Sequence, residues 1–282
     1  MEFRTLLAII LFACLFTGCD LETAVNIDLP GGDTPRPIVL CFASPTQPTL
    51  AYVGQSTPLI AGESKGSPTV LSFRIMQGDW PLGELQPGSE AGVFVSDAAL
   101  DFQEGIPYHL EIQTIEFGTI RSRPEYLPKA CTITNAFLRD SSMGEYGFFN
   151  IGVEFEDAQN SNDFYAAKST YLRNGTALVD SSTRYTHLPL FAFEDATFNG
   201  ELHFFTIDVP KRVNTYGNQR VTEADLMLFN ISPSLYRFLS SITQNEGTAQ
   251  DVLLSPVPVE SNLINGAGVF GLFRSDTMRI AL

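Results

Sequence analysis

Short segments in which every second residue is apolar recur through the chain, and they constrain the fold more than any other feature. The segment 71–76 (LSFRIM) has Leu, Phe and Ile at alternate positions, and 108–113 (YHLEIQ) and 149–156 (FNIGVEFE) repeat the pattern. Successive side chains of a strand point to opposite faces of a sheet. A period of two with polar partners therefore predicts strands with one buried face.

Turn-forming sequences separate these segments. They include GESKGSP, MQGDWPLG, LQPGSEAG and QEGIP, which are rich in glycine, proline and polar residues. Short strands at this spacing, with no helical pattern among them, are typical of an all-β sandwich. We therefore expect an immunoglobulin-like β-sandwich domain over residues 37–123.

A proline-containing segment, 122–129 (SRPEYLPK), interrupts the strand pattern with two prolines in eight residues. Such segments are typical of boundaries between domains. Strand patterns resume beyond it and predict a second all-β domain, sandwich-like or barrel-like, over residues 124–282. Its later strands are expected at 164–172, 202–209, 225–230, 268–273 and 277–282.

One segment of this second domain has the spacing of a helix. Ser232-Pro233 is a favourable start, because serine caps a first turn and proline suits the first helical position. Apolar residues follow at helical spacing, namely Leu235, Phe238, Leu239 and Ile242. The pattern predicts one short amphipathic helix, about 233–245, and favours a stripe that packs on the core over one that binds a partner.

The beginning of the chain has the pattern of a lipoprotein leader. Arg4 supplies a basic start, and Leu6–Phe16 is an apolar run of signal-peptide length, too short to span a membrane as a helix. Small residues then precede Cys19, as in a lipobox. We expect residues 1–18 to be removed and Cys19 to be the lipid attachment point, through a diacylglycerol on its thiol and a further acyl chain such as palmitate.

Residues 19–36 are acidic, contain glycine and proline, and lack a sustained period. This composition predicts a tether that lifts the folded part off the membrane. Two or more acyl chains on Cys19 would anchor the protein stably, which a single chain does not.

The alternative to a lipoprotein leader is an ordinary secretory signal, or an anchor helix in which Cys19 is incidental.

The acidity of the chain excludes some classes of partner. The formal net charge is −15 at pH 7, and it stays with residues 19–282 because the leader carries one Arg and one Glu. Nucleic-acid binding depends on basic side chains that neutralise phosphates. We therefore expect no nucleic-acid partner, and the acidity is explained by solubility.

Two cysteines, Cys41 and Cys131, remain once Cys14 leaves with the leader and Cys19 carries lipid. An exported setting permits a disulfide between them. Both lie in apolar, strand-like surroundings, so two buried free thiols are the alternative.

Two glycine motifs match the sequence patterns of enzyme sites, but the elements that should flank them are different. Gly62–Gly66 (GESKG) matches the hydrolase nucleophile elbow around Ser64, yet a strand follows it where the elbow requires a helix. Gly266, Gly268 and Gly271 fit a dinucleotide fingerprint, but only a strand-like end of the chain follows them. We expect no catalytic residue and no cofactor, and the chain is not predicted to be an enzyme.

A polar loop contains Asp157, Asn160, Asn162 and Asp163, whose oxygens are of the type that Ca²⁺ prefers. Their spacing is not that of an EF-hand, and Asp and Asn also occupy turns for backbone reasons. The three histidines of the chain have no metal-ligand spacing. The sequence therefore predicts no metal.

Several phrases of the chain resemble the domain of unknown function 4249 family. They are Phe193–Gly200 (FEDATFNG), Leu235–Leu239 (LYRFL), Pro256–Gly271 (PVPVESNLINGAGVFG) and, near the leader, Val25–Pro30 (VNIDLP). The resemblance implies an outer-membrane lipoprotein of Bacteroidota, often encoded beside a TonB-dependent transporter. It supplies no catalytic residues, and the shared phrases have the composition of turn and packing residues.

The resemblance and the lipobox together imply a surface-exposed protein, lipid-anchored in the outer membrane and facing the cell exterior. Its expected role is that of a binding or accessory subunit for a TonB-dependent transporter. The alternative is a glycan-binding β-sandwich module, because Trp80 lies at a proline turn where its ring could stack on a sugar.

Overall fold

The computed structural model describes residues 35–56, 66–142, 144, 147–157, 162–178, 191–195, 200–213, 219–248 and 258–282. The leader, Cys19, most of the tether and Ser64 lie outside the described residues. No helix within these ranges is long and apolar enough to cross a membrane.

The described residues form an all-β fold with one short helix, as the alternating segments predict. In chain order the elements are β1 (Pro37–Ser44), β2 (Gln47–Gln55), β3 (Val70–Gln77), β4 (Trp80–Glu84), β5 (Gln86–Pro87), β6 (Val93–Ala99), β7 (Pro107–Thr114), β8 (Gly118–Ser122), β9 (Glu125–Tyr126), β10 (Thr132–Ser141), β11 (Phe148–Glu156), β12 (Phe164–Arg173), β13 (Thr176–Ala177), β14 (Phe191–Glu194), β15 (Leu202–Pro210), β16 (Arg212–Val213), β17 (Gln219–Arg220), β18 (Glu223–Ile231), α1 (Pro233–Thr248), β19 (Leu263–Ile264) and β20 (Ala267–Ala281).

A nine-stranded sheet organises the described part of the chain. Its order is β13-β12-β18-β20-β1-β2-β6-β5. The ninth strand, β14, pairs with residues 164–167 of β12. Most pairs are antiparallel, but β20 runs parallel to β1 over residues 267–272 and antiparallel to β18 over residues 273–281. The sheet therefore contains strands from both sides of residue 123, while the division into domains at that residue stays a prediction.

Two smaller sheets cover this large sheet. A six-stranded sheet, β19-β8-β7-β3-β4 with β9 beside β7, shares a core with β1; Val39, Cys41, Leu110 and Ile112 are fully buried there. In β1 and β7 every second residue is buried, which is the period that the sequence predicts for half-buried strands.

The second core lies between β18 and a three-stranded sheet, β10-β11-β15. Ile151 and Val153 of β11 meet Leu226 and Leu228 of β18 in it, all four fully buried. Both ends of the large sheet thus form two-layer sandwiches, each with its own apolar core.

Strand β20 passes through both cores and replaces the two strands predicted at 268–273 and 277–282. The structure uses the polar side chains between these two segments for contacts with neighbouring elements. Asp276 accepts a hydrogen bond from the backbone N–H of Ile133 (2.8 Å), and Arg274 pairs with Glu104 (3.0 Å). The polar residues therefore join the strand to neighbours instead of ending it.

Helix α1 packs on the large sheet within a third apolar cluster. Leu235, Phe238 and Leu239 are buried against Val269 and Phe273 of β20. The helix confirms the predicted segment and continues three residues beyond it. At its start the carbonyl of Ser232 accepts from Tyr236 N–H (3.0 Å), while its hydroxyl accepts from Leu272 N–H (3.3 Å).

The glycines at the start of β20 allow neighbouring elements to approach the strand closely. Gly268 has φ = +112°, and a Cβ there would lie 2.0 Å from the carbonyl oxygen of Val39. A Cβ at Gly271 would lie 2.7 Å from Cβ of Leu235 in α1. A strand and a helix approach β20 closely at these glycines, in agreement with the predicted packing role, although both positions lie within the strand and not in a turn.

Candidate functional site

Three buried aspartates converge at one end of the second sandwich. Asp157 follows β11 directly, Asp163 precedes β12 directly, and Asp195 follows β14 directly. One carboxylate oxygen from each residue lies within 4.8 Å of the others. These three residues, Asp157, Asp163 and Asp195, are called the carboxylate cluster below.

Strand pairing explains how residues 32 positions apart meet. β12 and β14 are antiparallel with Phe164 opposite Glu194, so the start of one strand adjoins the end of the other. The backbone N–H of Asp163 donates to Oδ2 of Asp195 (2.9 Å), and the N–H of Asp195 donates to the carbonyl oxygen of Asp163 (3.2 Å).

Asp157 is held by two donors, one from β12 and one from the turn before β15. The hydroxyl of Tyr165 donates to its Oδ1, and the N–H of Gly200 donates to its Oδ2 at 2.7 Å. Burial and the hydrogen bond to Asp157 raise the pKa of Tyr165 well above its ordinary value, so the phenol remains a donor.

Asn230 of β18 completes the group. It lies opposite Tyr165 in the pairing of β12 with β18, and its Nδ2 donates to Oδ1 of Asp163 at 3.0 Å. The side chain is 1% exposed, and the three aspartates are 1–6% exposed. The four side chains of the group are therefore buried.

Within the part of the chain that the structure describes, three acceptor oxygens of this group have no hydrogen-bond donor: Oδ2 of Asp163, Oδ1 of Asp195 and Oδ1 of Asn230. Burial and the neighbouring charges of Asp157 and Asp163 raise the pKa of Asp195. Because buried acceptors are normally paired, the arrangement is able to receive a donor or a cation.

Aromatic rings form one wall of the cluster. Phe155 and Phe193 pack on the ring of Tyr165 with centroid distances of 4.9 and 5.6 Å. His203 meets Phe155 edge-on at 5.7 Å, and burial lowers its pKa, which favours the neutral imidazole. This apolar wall strengthens electrostatic interactions inside the cluster.

A second candidate site is a cleft of about 430 Å³ on the opposite side of the large sheet, beside α1. Aliphatic and aromatic side chains form most of its surface, and Lys168 is its charged member, with a pKa lowered by burial. The lining residues are Phe42, Gln47, Pro48, Leu50, Lys168, Met227, Phe229, Ile231, Leu235, Phe273, Ser275 and Thr277.

The polar loop singled out in the sequence supplies part of the carboxylate cluster. The structure brings Asp157 and Asp163 together and leaves Asn162 exposed, while Asn160 lies outside the described residues. Sequence reasoning missed Asp195 and Asn230, which are distant in the chain. A signal for Asp195 existed, because it is part of the family-like phrase Phe193–Gly200.

The two cysteines of the folded part are free, buried thiols. Cys41 belongs to the first core and Cys131 to the second, so the structure has two buried free thiols and no disulfide between them. Burial raises the pKa of both thiols, that of Cys131 to about 12. Trp80 is 78% exposed at the start of β4.

Comparison with known proteins gives one finding. The family model described as "Domain of unknown function (DUF4249)" matches residues 22–279, which include all four strands that supply the carboxylate cluster and Asn230. No curated protein matches the chain.

Proposed function

The chain belongs to the family of the domain of unknown function 4249, and from this membership we propose that it is an outer-membrane lipoprotein that binds a protein partner. Cys19 carries the lipid, the folded part faces the cell exterior, and the partner is a TonB-dependent transporter. The lipobox-like leader and the acidic tether before β1 support this location.

The cleft beside α1 is the observation that carries the binding role. Its volume is about 430 Å³, and its lining is apolar with a few polar groups, a surface that can receive apolar side chains of a partner. Apolar side chains of a partner would displace water from Phe42, Phe229 and Phe273. We expect Lys168 to limit the orientation in which a partner docks.

Co-purification from membranes in mild detergent tests the accessory role. The protein should recover a TonB-dependent transporter in stoichiometric amount. Recovery of the lipoprotein alone would remove the support for the accessory role.

A matched pair of substitutions tests the cleft. Leu50 lines it and is 41% exposed, so Leu50→Arg introduces a charge with little effect on the core. Leu71, 66% exposed on β3, does not line the cleft, and Leu71→Arg is the control. Leu50→Arg should abolish co-purification and Leu71→Arg should retain it; equal recovery by both variants would show that the partner binds elsewhere.

Protease shaving of intact cells tests the orientation. A surface-exposed protein is degraded without lysis, whereas a periplasmic one is protected until the outer membrane is opened. Protection in intact cells would contradict the outward-facing proposal while leaving lipidation unaffected.

A glycan-binding module is the second candidate, favoured by the 78% exposure of Trp80. The ring stands beside Pro81 in the β3–β4 hairpin, where Gln77 pairs with Trp80. Binding on a glycan array that is lost in Trp80→Ala would support it. An array on which the protein binds no glycan would contradict the glycan-binding role.

A further inference from the structure

We propose that the carboxylate cluster, together with Oδ1 of Asn230, binds a divalent cation of the hard, oxygen-seeking class, with Ca²⁺ as the preferred ion. The site would join the ends of β11, β12 and β14 to the end of β18. The proposal does not depend on lipidation or on the cleft.

The charge of the cluster supports a cation. Three carboxylates, each at least 94% buried, have oxygens within 4.8 Å of one another. Among the ion pairs formed by the described residues, none includes Asp157, Asp163 or Asp195. Buried charges are stable only when they are paired, protonated or bound to a metal.

Asn230 gives an independent indication. Its side chain is 99% buried, and none of the described residues donates to its Oδ1, although its Nδ2 donates to Asp163. The opposite amide orientation would set two acceptor oxygens against each other, so the hydrogen bond to Asp163 defines which atom is the oxygen. Proton sharing among the carboxylates is the alternative, since a protonated carboxyl is a hydrogen-bond donor. A cation would both neutralise the carboxylates and bind this carbonyl oxygen.

The donor atoms select the class of ion. The free acceptors are carboxylate and carboxamide oxygens, which suit Ca²⁺, Mg²⁺ and Mn²⁺ better than softer metals. Mg²⁺ normally keeps several waters in an octahedral shell, whereas Ca²⁺ accepts irregular shells of protein oxygens. Deep burial leaves little space for waters and therefore favours Ca²⁺.

The neighbours of Asp157 would orient this ligand. Tyr165 and Gly200 each donate to one of its oxygens, and every carboxylate oxygen has a second lone pair available for a cation. Donors that hold a ligating carboxylate in place are a regular feature of metal sites. The phrase Phe193–Gly200 supplies both Asp195 and the Gly200 N–H, which gives it a role beyond packing.

Calorimetric titration of the chelator-treated full-length protein in detergent tests the proposal. We expect saturable binding of one Ca²⁺ per chain. Tb³⁺ should bind in competition with Ca²⁺, and its luminescence should be sensitised by excitation of tyrosine because Tyr165 contacts Asp157. Absence of saturable Ca²⁺ binding to the unmodified protein would overturn the proposal.

Asp195→Asn tests the location of the ion, and Asp97→Asn is the control because Asp97 is an exposed aspartate of β6. Asp195→Asn should weaken Ca²⁺ binding by about tenfold or more, and Asp97→Asn should not change it. Equal affinities in both variants would place the ion elsewhere and overturn the assignment. Asn230→Ala provides a second variant if Asp195→Asn does not fold.

Thermal melting separates cation binding from proton sharing. With a cation site, Ca²⁺ raises the Tm of the unmodified protein and of Asp97→Asn, and a chelator reverses the rise. If the carboxylates instead share protons, the Tm is insensitive to Ca²⁺ and chelator, and Asp195→Asn raises it without added metal. That second pattern would overturn the proposal.

Discussion

The side-chain amide of Asn262 pairs with both backbone groups of Phe270. Its Nδ2 donates to the carbonyl oxygen of Phe270 (2.8 Å), and its Oδ1 accepts from the Phe270 N–H (3.0 Å). Nδ2 also donates to Glu125 (3.0 Å). Along this part of β20 the partner strand is β1, and Asn262 and Ser232 provide hydrogen bonds that a further strand would otherwise supply.

Asn262→Ala should destabilise the protein strongly. It leaves the buried N–H and carbonyl of Phe270 without partners, and each such group costs about 1–3 kcal/mol. We expect the free energy of unfolding to fall by about 2–5 kcal/mol in urea denaturation.

Asn135→Ala is the matched control for this change. The side chain of Asn135 is exposed and donates to Glu154, so its loss should alter stability by less than about 0.5 kcal/mol. Similar losses in Asn135→Ala and Asn262→Ala would contradict the special role of Asn262.

Gly268→Ala should prevent folding. The added Cβ would lie 2.0 Å from the carbonyl oxygen of Val39 at a position with φ = +112°. Gly105 also has positive φ, +75°, but a Cβ there would meet nothing within 4 Å. Gly105→Ala should therefore fold and lose about 1–2 kcal/mol, the cost of the left-handed conformation alone. Soluble yield, circular dichroism and urea denaturation measure the difference; a normally folded Gly268→Ala would show that β1 and β20 are not in this close register.

Cys41 and Cys131 should resist alkylation in the folded protein. Both thiols are buried, at 0% and 6% exposure, and their raised pKa values disfavour the reactive thiolate. Peptide mapping after iodoacetamide treatment should find both unmodified under native conditions and both modified in guanidinium chloride. A peptide pair that is alkylated only after reduction would reveal a disulfide and contradict the structure.

Cys19→Ser should abolish lipid anchoring. The serine hydroxyl is not a substrate for the thiol chemistry of lipoprotein maturation, so the protein should move to the soluble fraction and lack the mass of the acyl groups. Cys14→Ser is the matched control, because Cys14 lies within the expected leader, and it should remain membrane-bound. Membrane retention of Cys19→Ser would favour an anchor helix.

Patterns among neighbouring residues predicted the individual strands and the helix. They were less accurate where contacts between distant residues decide how long a strand is. The alternation at 108–113 became β7, and the Ser232-Pro233 start with its helical spacing became α1. The sequence predicted two strands, 268–273 and 277–282, where the structure has the single strand β20. In the structure, Arg274 pairs with Glu104, and Asp276 accepts a hydrogen bond from the backbone N–H of Ile133; both partners are distant in sequence.

The candidate sites depended on contacts that no local pattern contains. The loop with Asp157 and Asp163 lacks the spacing of a known metal motif, and the spacing alone predicted no metal. Asp195 reaches it through the pairing of β12 with β14, and Asn230 through the pairing of β12 with β18. The cleft arises in the same way, from residues of five strands and α1.

The sequence by itself determined the all-β class, the position of α1 and the family, because side-chain periodicity and short phrases are properties of neighbouring residues. Only the tertiary structure decided that β20 joins both sandwiches, that the thiols lie in separate cores, and that three aspartates share one buried site. These outcomes depend on strand register between distant segments. Register is set by the burial of whole faces, since a slip of one residue would turn every buried side chain of a strand toward solvent.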